Sequence, residues 1–284
     1  MYYSIIIRKD KELFSKKVVF MNIEKIRSAN LIVVKVGTST LTYPSGYINI
    51  RRIEGLVKCL SDLQNSGRRI VLVSSGAISC GVGKIGLRHE GLTTEEKQAA
   101  AAVGQCELID MYNRLFADYG HKVAQLLLTR DVTDDEVRRH HAESTLRVLI
   151  DLGCIPVINE NDTISSDEIK YGGNDTLGAV VALLCKADLI INLTDIDGFY
   201  SDNPKTNPNA MLIPYVPKIT EELEAKAGGA GTARGTGGMA AKLKAARMCT
   251  ENGIPMIIAN GGNPDILYDI MDGTFKGTLF DTEE

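Results

Sequence analysis

The stretch LIVVKVGTST, from Leu31 to Thr40, decides the fold of this chain. Its first six residues are apolar apart from Lys35, and a run that is apolar on both faces is typical of a strand buried inside a parallel sheet. Gly37, Thr38 and Ser39 predict a turn at the end of this strand. A lysine among valines loses hydration unless an anion meets it, so Lys35 is a candidate phosphate ligand. A lysine whose ammonium reaches solvent from the strand end is the alternative.

Five more apolar runs indicate further buried strands. They are RIVLVSS (69–75), KVAQLLLT (122–129), CIPVIN (154–159), DLIINLT (188–194) and IPMIIAN (254–260). Between them, apolar residues recur at helical spacing, and Thr93 followed by Glu96 predicts a capping box that opens a helix toward Asp118. This alternation predicts an α/β protein, a three-layer αβα sandwich with a mostly parallel central sheet and ligands at the carboxyl ends of its strands.

The composition excludes several classes of protein. A chain of 284 residues that is 44% apolar can bury one large core or two lobes without disulfides or metals. The six cysteines form no CxxC pair, which argues against a zinc or redox site. A net charge of −4 provides no basic field for nucleic acid, and we find neither a membrane-spanning apolar stretch nor a signal peptide. We therefore expect a cytoplasmic protein that binds neither nucleic acid nor membrane.

The segment VSSGAISCGVGKIG begins with a strand that ends at Ser75 and Gly76, before a predicted helix. The free backbone N–H groups at such a helix start suit a carboxylate or a phosphate. Gly81, Gly83 and Gly86 also match the dinucleotide fingerprint GxGxxG. We reject that match, because the fingerprint belongs in the strand-to-helix turn and these glycines come later in the chain.

Two further strands are followed by polar residues. INENDTISSDEIKYGGND follows the strand CIPVIN and contains Asn159, Glu160, Asn161, Asp162, Asn174 and Asp175. Loop solvation explains such a cluster as often as binding does, but its place after a buried strand favours a site. Thr194 and Asp195 end another strand, where a nucleotide could lie against the sheet edge; a simple cap of the strand is the alternative.

The segment GTARGTGGMAAKLKAA, from Gly231 to Ala246, joins a glycine-rich loop to a helix. It is not a P-loop, because no lysine follows its glycine pair. If the helix starts at Gly238, Lys242 lies about one turn inside it and its ammonium can bend back toward an anion at the N-terminus. By contrast, His140 and His141 lack any partner spacing for a triad or a metal and are interpreted as solvated or packed.

Nine motifs taken together resemble the amino acid kinase family, and most closely its members that act on L-glutamate. They are, in order, VVKVGTS, SSGAI, AAVGQ, LLLTR, PVINEND, GNDTL, LTD, NPNA and GTGGMAAKLKAA. The resemblance runs from about Leu31 to Phe280. It implies ATP-dependent phosphorylation of the γ-carboxylate of glutamate, the first step of proline biosynthesis.

The resemblance also implies roles for individual residues. Lys35 and Lys242 would flank the transferring phosphoryl group, and Asp175 would orient them. The positions that match the family's glutamate site are Ser75, Asp162 and Asn174. Those that match its ATP site are Lys35, Thr194, Asp195, Thr236, Gly237, Gly238, Met239 and Lys242. Mg²⁺ would bridge ATP phosphate oxygens largely through water, so we assign it no protein ligand.

From the resemblance we expect a kinase domain at 31–284, with glutamate bound by its N-terminal part and ATP by its C-terminal part. Residues 1–30 would be an extension of unknown role. Because the chain stops soon after GTLF, we expect no PUA domain. The resemblance also implies a homo-oligomer, either a dimer or a tetramer, and feedback inhibition by L-proline.

Three positions depart from the family's usual pattern. Gly173 stands where an acid often precedes the Asn-Asp pair, which bears on glutamate affinity and feedback rather than on the reaction type. Asn203-Pro204 replaces an aspartate-proline pair, and Arg234 occupies a commonly apolar position of the glycine-rich loop.

Two other functions compete with glutamate phosphorylation. A relative acting on aspartate, N-acetylglutamate, carbamate or a phosphorylated substrate would share the ATP-binding half, and INEND with GND favours glutamate over these. A non-catalytic amino acid sensor would keep the fold without transferring phosphate. The presence of Lys35, Asp175 and Lys242 argues against a sensor, which has no need for charges aimed at a transition state.

Overall fold

The structure, a computed structural model, describes residues 23–88, 90–165, 173–227 and 238–282. These residues contain one sheet of eight strands in the order β3-β4-β2-β1-β5-β7-β8-β6. The strands are β1 (Leu31–Val36), β2 (Arg69–Val73), β3 (Val123–Leu128), β4 (Ile155–Glu160), β5 (Leu189–Thr194), β6 (Tyr215–Val216), β7 (Met256–Asn260) and β8 (Gly277–Phe280).

Helices cover both faces of this sheet. They are α1 (23–28), α2 (Thr38–Leu41), α3 (Ile50–Asn65), α4 (Ala77–Ile85), α5 (Thr94–Ala117), α6 (Asp131–Asp134), α7 (Glu136–Asp151), α8 (Asn174–Cys185), α9 (Glu221–Ala227), α10 (Met239–Thr250) and α11 (Ile266–Met271). One apolar core lies between the sheet and α3, α5 and α11, and a second lies between the sheet and α7, α8 and α10. The predicted three-layer αβα sandwich is thereby confirmed.

Parallel pairing dominates the sheet, as the sequence predicts. β1 lies at the centre between β2 and β5, and the six predicted strands all run parallel to one another. Their carboxyl ends therefore meet at one edge. The predicted capping box is also present, because Thr93 Oγ1 accepts from the Glu96 backbone while Glu96 accepts from the Thr93 backbone.

Two short strands are absent from the sequence prediction. β8 pairs antiparallel with β7, and β6, formed by Tyr215 and Val216, pairs parallel with β8. A two-residue strand has no periodicity of its own, so only its pairing with β8 defines it.

The end of the predicted N-terminal extension belongs to the folded domain. Residues 1–22 lie outside the described residues, but residues 23–28 form α1. The side chains of Ile26 and Ala29 are 1% and 4% exposed and join the core beside α3 and α11. Burial of these apolar side chains stabilises the same core, so α1 packs against the domain that we expect from Leu31 onward.

The three glycines that match the dinucleotide fingerprint have another explanation. Gly81 and Gly83 lie inside α4, and Gly86 ends that helix in a left-handed conformation. A Cβ on Gly81 would lie 1.7 Å from the Ala100 carbonyl oxygen of α5. Gly81 therefore allows α4 and α5 to pack backbone against backbone, and the rejection of a dinucleotide site agrees with this packing.

No described helix combines the length and the apolar character needed to cross a bilayer. His140 and His141 are exposed on α7, as the solvated interpretation predicts.

Candidate active site

Three ionisable side chains meet beneath the carboxyl edge of the sheet. The Lys35 Nζ lies 2.6 Å from Asp175 Oδ1, and the Lys242 Nζ lies 3.1 Å from Asp175 Oδ2. All three residues are buried, with exposures of 5%, 2% and 7% for Lys35, Asp175 and Lys242. One carboxylate thus holds two ammonium groups on its two oxygens, and the three residues are called the charged triad below.

Each member of the charged triad comes from a different element. Lys35 is the fifth residue of β1, Asp175 lies in the first turn of α8, and Lys242 lies in the first turn of α10. Gly178 lies one helical turn after Asp175, where a Cβ would come within 3.3 Å of the Lys35 side chain. The missing side chain lets α8 pack closely on β1, which brings Asp175 onto the lysine.

With both lysines protonated, the charged triad carries one net positive charge in a desolvated place. Burial lowers the pKa of Lys35 below its ordinary value, although the neighbouring Asp175 opposes that effect. Burial alone would raise the pKa of Asp175, but Lys35 and Lys242 outweigh it and leave this pKa below its ordinary value. Asp175 is therefore ionised at neutral pH, and the excess positive charge suits an anionic ligand.

Two helix N-termini add to this positive field. α8 and α10 pack against each other, and both begin at this edge after glycines, Gly173 and Gly238, that provide no side-chain cap. The first backbone N–H groups of a helix have no intrahelical acceptor and carry partial positive charge. Together with the lysines, they make this edge suitable for phosphate or carboxylate oxygens.

A second polar cluster lies beside the charged triad. Asn174 Nδ2 lies within hydrogen-bonding distance of the Ser75 Oγ at 2.8 Å, the Ser74 carbonyl oxygen at 2.9 Å and the Asn159 Oδ1 at 2.9 Å. Asn159 Nδ2 in turn donates to Gln105 Oε1 at 2.9 Å. The structure therefore brings Ser75 and Asn174, two of the three predicted glutamate-binding residues, into direct contact.

The third predicted glutamate-binding residue, Asp162, lies half-buried in the turn that follows β4. Glu160 at the end of that strand is 6% exposed, and its Oε1 accepts from Ser165 Oγ at 3.4 Å. Glu160 ends β4 and Asp162 follows it, so both carboxyl groups lie at the carboxyl end of a strand, as the sequence predicts for this cluster.

The predicted nucleotide-binding residues lie on the other side of β1. Thr194 ends β5 and is 5% exposed, and its hydroxyl donates to Asp195 Oδ1 at 3.2 Å. Asp195 itself is exposed. Two residues later, Asp197 accepts from Asn260 Nδ2 at 2.9 Å, which ties the loop after β5 to the end of β7.

The glycine-rich loop is only partly described. Thr236, Gly237 and Arg234 lie outside the described residues. Gly238 is the N-cap of α10 and Met239 is its first residue, so Lys242 falls one turn inside the helix, as predicted.

Gly173 adopts a backbone conformation that other residues strongly disfavour. Its φ of 121° and ψ of 157° lie in a region that is essentially restricted to glycine. This backbone conformation favours glycine at position 173. An acid at this position would strain the first turn of α8, which holds Asn174 and Asp175.

We expect Gly173→Ala to lower the free energy of unfolding by about 1–3 kcal/mol, because alanine must adopt this strained conformation. Urea denaturation measures the change. Gly238→Ala is the matched control, since Gly238 is the N-cap of α10 but has an ordinary extended conformation, with φ −65° and ψ 178°. Equal losses of stability in both variants would contradict the assignment of strain to Gly173.

One site residue, Asn192 in β5, escaped the sequence analysis. Its Nδ2 donates to Asp175 Oδ1 at 2.8 Å, and its side chain is 1% exposed. The available signal was an amide inside the apolar run LIINLT, which parallels the lysine inside LIVVKV. The predicted site residues of that segment, Thr194 and Asp195, lie only at its end.

Comparison with known proteins gives consistent matches. The sequence model of the amino acid kinase family matches residues 30–260. The glutamate 5-kinase of Clostridium perfringens is 52% identical over 259 residues, which cover 90% of this chain and 96% of that protein. The glutamate 5-kinase of Listeria innocua is 49% identical over 261 residues, which cover 90% of this chain and 95% of that protein.

Solved structures of two kinases share this fold. The isopentenyl phosphate kinase of T. acidophilum superposes with a TM-score of 0.60 at 22% identity, covering 88% of this chain and 100% of that chain. The UMP kinase from Ureaplasma parvum superposes with a TM-score of 0.61 at 15% identity, covering 89% of this chain and 99% of that chain. At such low identities the likeness shows the fold alone.

Proposed function

The chain belongs to the amino acid kinase family, and we propose that it transfers the γ-phosphoryl group of ATP to the γ-carboxylate of L-glutamate. The products would be γ-glutamyl phosphate and ADP, in the first step of proline biosynthesis. The observation that carries this proposal is the charged triad, in which one buried carboxylate holds two lysines at an edge rich in anion-binding groups.

The proposed reaction requires no general base. A γ-carboxylate is ionised at neutral pH, so its oxygen can attack the γ-phosphorus directly while the bond from phosphorus to the bridging oxygen of ADP breaks. No proton leaves the nucleophile. The chain therefore has two tasks, which are to align the two substrates and to stabilise the negative charge that the transition state spreads over oxygen atoms.

Lys35 and Lys242 are suited to the second task. Each ammonium has three protons, and the contact with Asp175 uses one of them. In the proposed reaction both ammonium groups donate to the equatorial and leaving oxygens of the phosphoryl group. Because these donors are buried and already oriented, they need little reorganisation during the reaction. Asp175 sets the separation of the two ammonium groups.

We assign glutamate to the ends of β2 and β4 and ATP to the ends of β5 and β7. Ser75 and Asn174 provide neutral donors for glutamate, and the Asp162 carboxylate suits its α-ammonium group. Thr194, Asp195 and the start of α10 border the nucleotide side. In this proposed arrangement the γ-phosphate of ATP would lie over the end of β1 and face the γ-carboxylate of glutamate.

Mg²⁺ fits this site as a companion of ATP. Both oxygens of Asp175 contact ammonium groups, which leaves that carboxylate poorly suited to ligate a cation. The described residues hold no cluster of three or more His, Cys, Asp or Glu side chains that could cage a metal. We propose that phosphate oxygens and water hold the ion, which would neutralise phosphate charge.

The biological setting is carried over from the resemblance to the family. We propose that the protein works in the cytoplasm as a homodimer or homotetramer and that L-proline inhibits it. Residues 31–284 would form the kinase domain, although α1 already contributes to its core.

A trapping assay tests the proposed function. Purified protein is incubated with Mg·ATP and hydroxylamine, and ADP release is compared for L-glutamate, L-aspartate and N-acetylglutamate. We expect turnover with L-glutamate and formation of its hydroxamate, because hydroxylamine captures an acyl phosphate. Turnover with another acceptor alone would contradict the choice of glutamate. Binding of glutamate or proline without turnover on any acceptor would instead favour the sensor.

A further inference from the structure

We propose that Asn192 is a positioning residue for phosphoryl transfer, which fixes the carboxylate of Asp175 between its two lysines. This inference rests on the proposed function, since it assigns a role within the same site. Asn192 touches neither substrate in the proposed arrangement and acts through Asp175 alone.

The sheet places Asn192 directly beside Lys35. The two residues are register partners on the adjacent parallel strands β1 and β5, so their side chains point to the same face. The residues flanking this pair in the same row are Val73 on β2 and Ile258 on β7, both buried in the apolar core beneath α8 and α10. Lys35 and Asn192 are therefore two polar neighbours in an otherwise apolar row.

The amide gives Asp175 a donor without adding charge. Lys35 Nζ and Asn192 Nδ2 both donate to Oδ1 of Asp175, at 2.6 Å and 2.8 Å, whereas Lys242 approaches Oδ2. Three donors on two oxygens fix the rotation of the carboxylate. A third cation would hold Asp175 as firmly but would change the net charge of the charged triad, and an apolar residue would leave the carboxylate freer to rotate.

The oxygen atom of the Asn192 side chain indicates that this residue does not serve to stabilise the fold. Asn192 Oδ1 is buried and has no hydrogen-bond partner among the described residues. An unpaired buried oxygen is destabilising, and an apolar side chain of similar shape would avoid that penalty. The sequence therefore keeps a destabilising group at the centre of the sheet, and the contact with Asp175 is the benefit that the geometry offers.

Asn192→Leu separates a positioning role from a structural one, because leucine has the same branched arrangement of heavy atoms and removes both the donor and the unpaired oxygen. We expect kcat to fall about tenfold, since a hydrogen bond to a charged group is lost. The KM values for glutamate and ATP should stay within about twofold of wild type, because the substrates keep their contacts. The thermal midpoint should equal or exceed that of wild type.

Ser61→Ala is the matched control. Ser61 lies in α3, on the opposite face of the sheet, and its hydroxyl is also buried and finds no hydrogen-bond partner in the part of the chain that the structure describes. This variant should leave kcat unchanged. An unchanged kcat in Asn192→Leu would overturn the inference, and so would a fall in kcat accompanied by a lower thermal midpoint and raised KM values.

Failure of the positioning role of Asn192 can be distinguished from failure of the proposed kinase function. If wild-type protein phosphorylates no acceptor, the proposed function fails by itself. Crystal structures of wild type and Asn192→Leu then decide the inference. The Asp175 carboxylate must be rotated in the variant but not in Ser61→Ala, and an unmoved carboxylate would overturn the positioning role.

Discussion

Replacement of Lys242 by methionine should lower kcat by about a thousandfold, which is the cost of removing one preorganised donor to a transition-state oxyanion. Methionine keeps the length of the buried side chain but provides no proton for the phosphoryl oxygens. Glutamate contacts lie around Ser75 and Asn174 in the proposed arrangement, so the KM for glutamate should change by less than about threefold. Initial rates of ADP release at varied glutamate and saturating ATP measure both parameters.

Lys244→Met provides the control on the same helix. Lys244 lies two residues further along α10 and is exposed, so its loss should leave kcat within about twofold of wild type. The fold should survive in Lys242→Met, because Asp175 keeps its ion pair with Lys35. A kcat within tenfold of wild type in Lys242→Met would refute the assignment of Lys242 to charge stabilisation.

The second large effect concerns the fold. Gly104→Ala should lower the free energy of unfolding by about 3 kcal/mol or more, because overpacking against rigid neighbours is strongly destabilising. A Cβ on Gly104 would lie 1.8 Å from the Ala77 carbonyl oxygen and 2.5 Å from the Gly81 nitrogen. Both neighbours are backbone atoms of α4, so no side chain can move aside and the two helices must separate.

This separation should also weaken glutamate binding. α4 begins immediately after Ser75 and Gly76, so its displacement moves one predicted wall of the glutamate site. Urea denaturation and the KM for glutamate report the two effects. Val103→Ala is the control on the neighbouring position of α5, where the side chain is 39% exposed and the expected change is within about 0.5 kcal/mol. If Gly104→Ala is as stable as Val103→Ala, the close helix contact is refuted.

Short segments of sequence were sufficient to predict which strands and helices carry the site residues. Buried strands, their glycine or polar ends and the start of α10 each follow from residues within one short segment, which is why Lys35, Thr194 and Lys242 were placed correctly on their elements. In a parallel sheet all carboxyl ends meet at one edge, so placing each residue at a strand end or helix start was enough to predict that they gather there.

The sequence by itself determined the αβα architecture and the segments that reach the site, because hydrophobic periodicity and turn residues act over a few positions. Only the tertiary structure decided how those segments touch. Asp175 meets Lys35 across 140 positions and Lys242 across 67. Its third donor, Asn192, is visible only through the register of β1 and β5. The same holds for the contact of Gly104 with α4, since distances between atoms of separate elements depend on packing and not on local propensity.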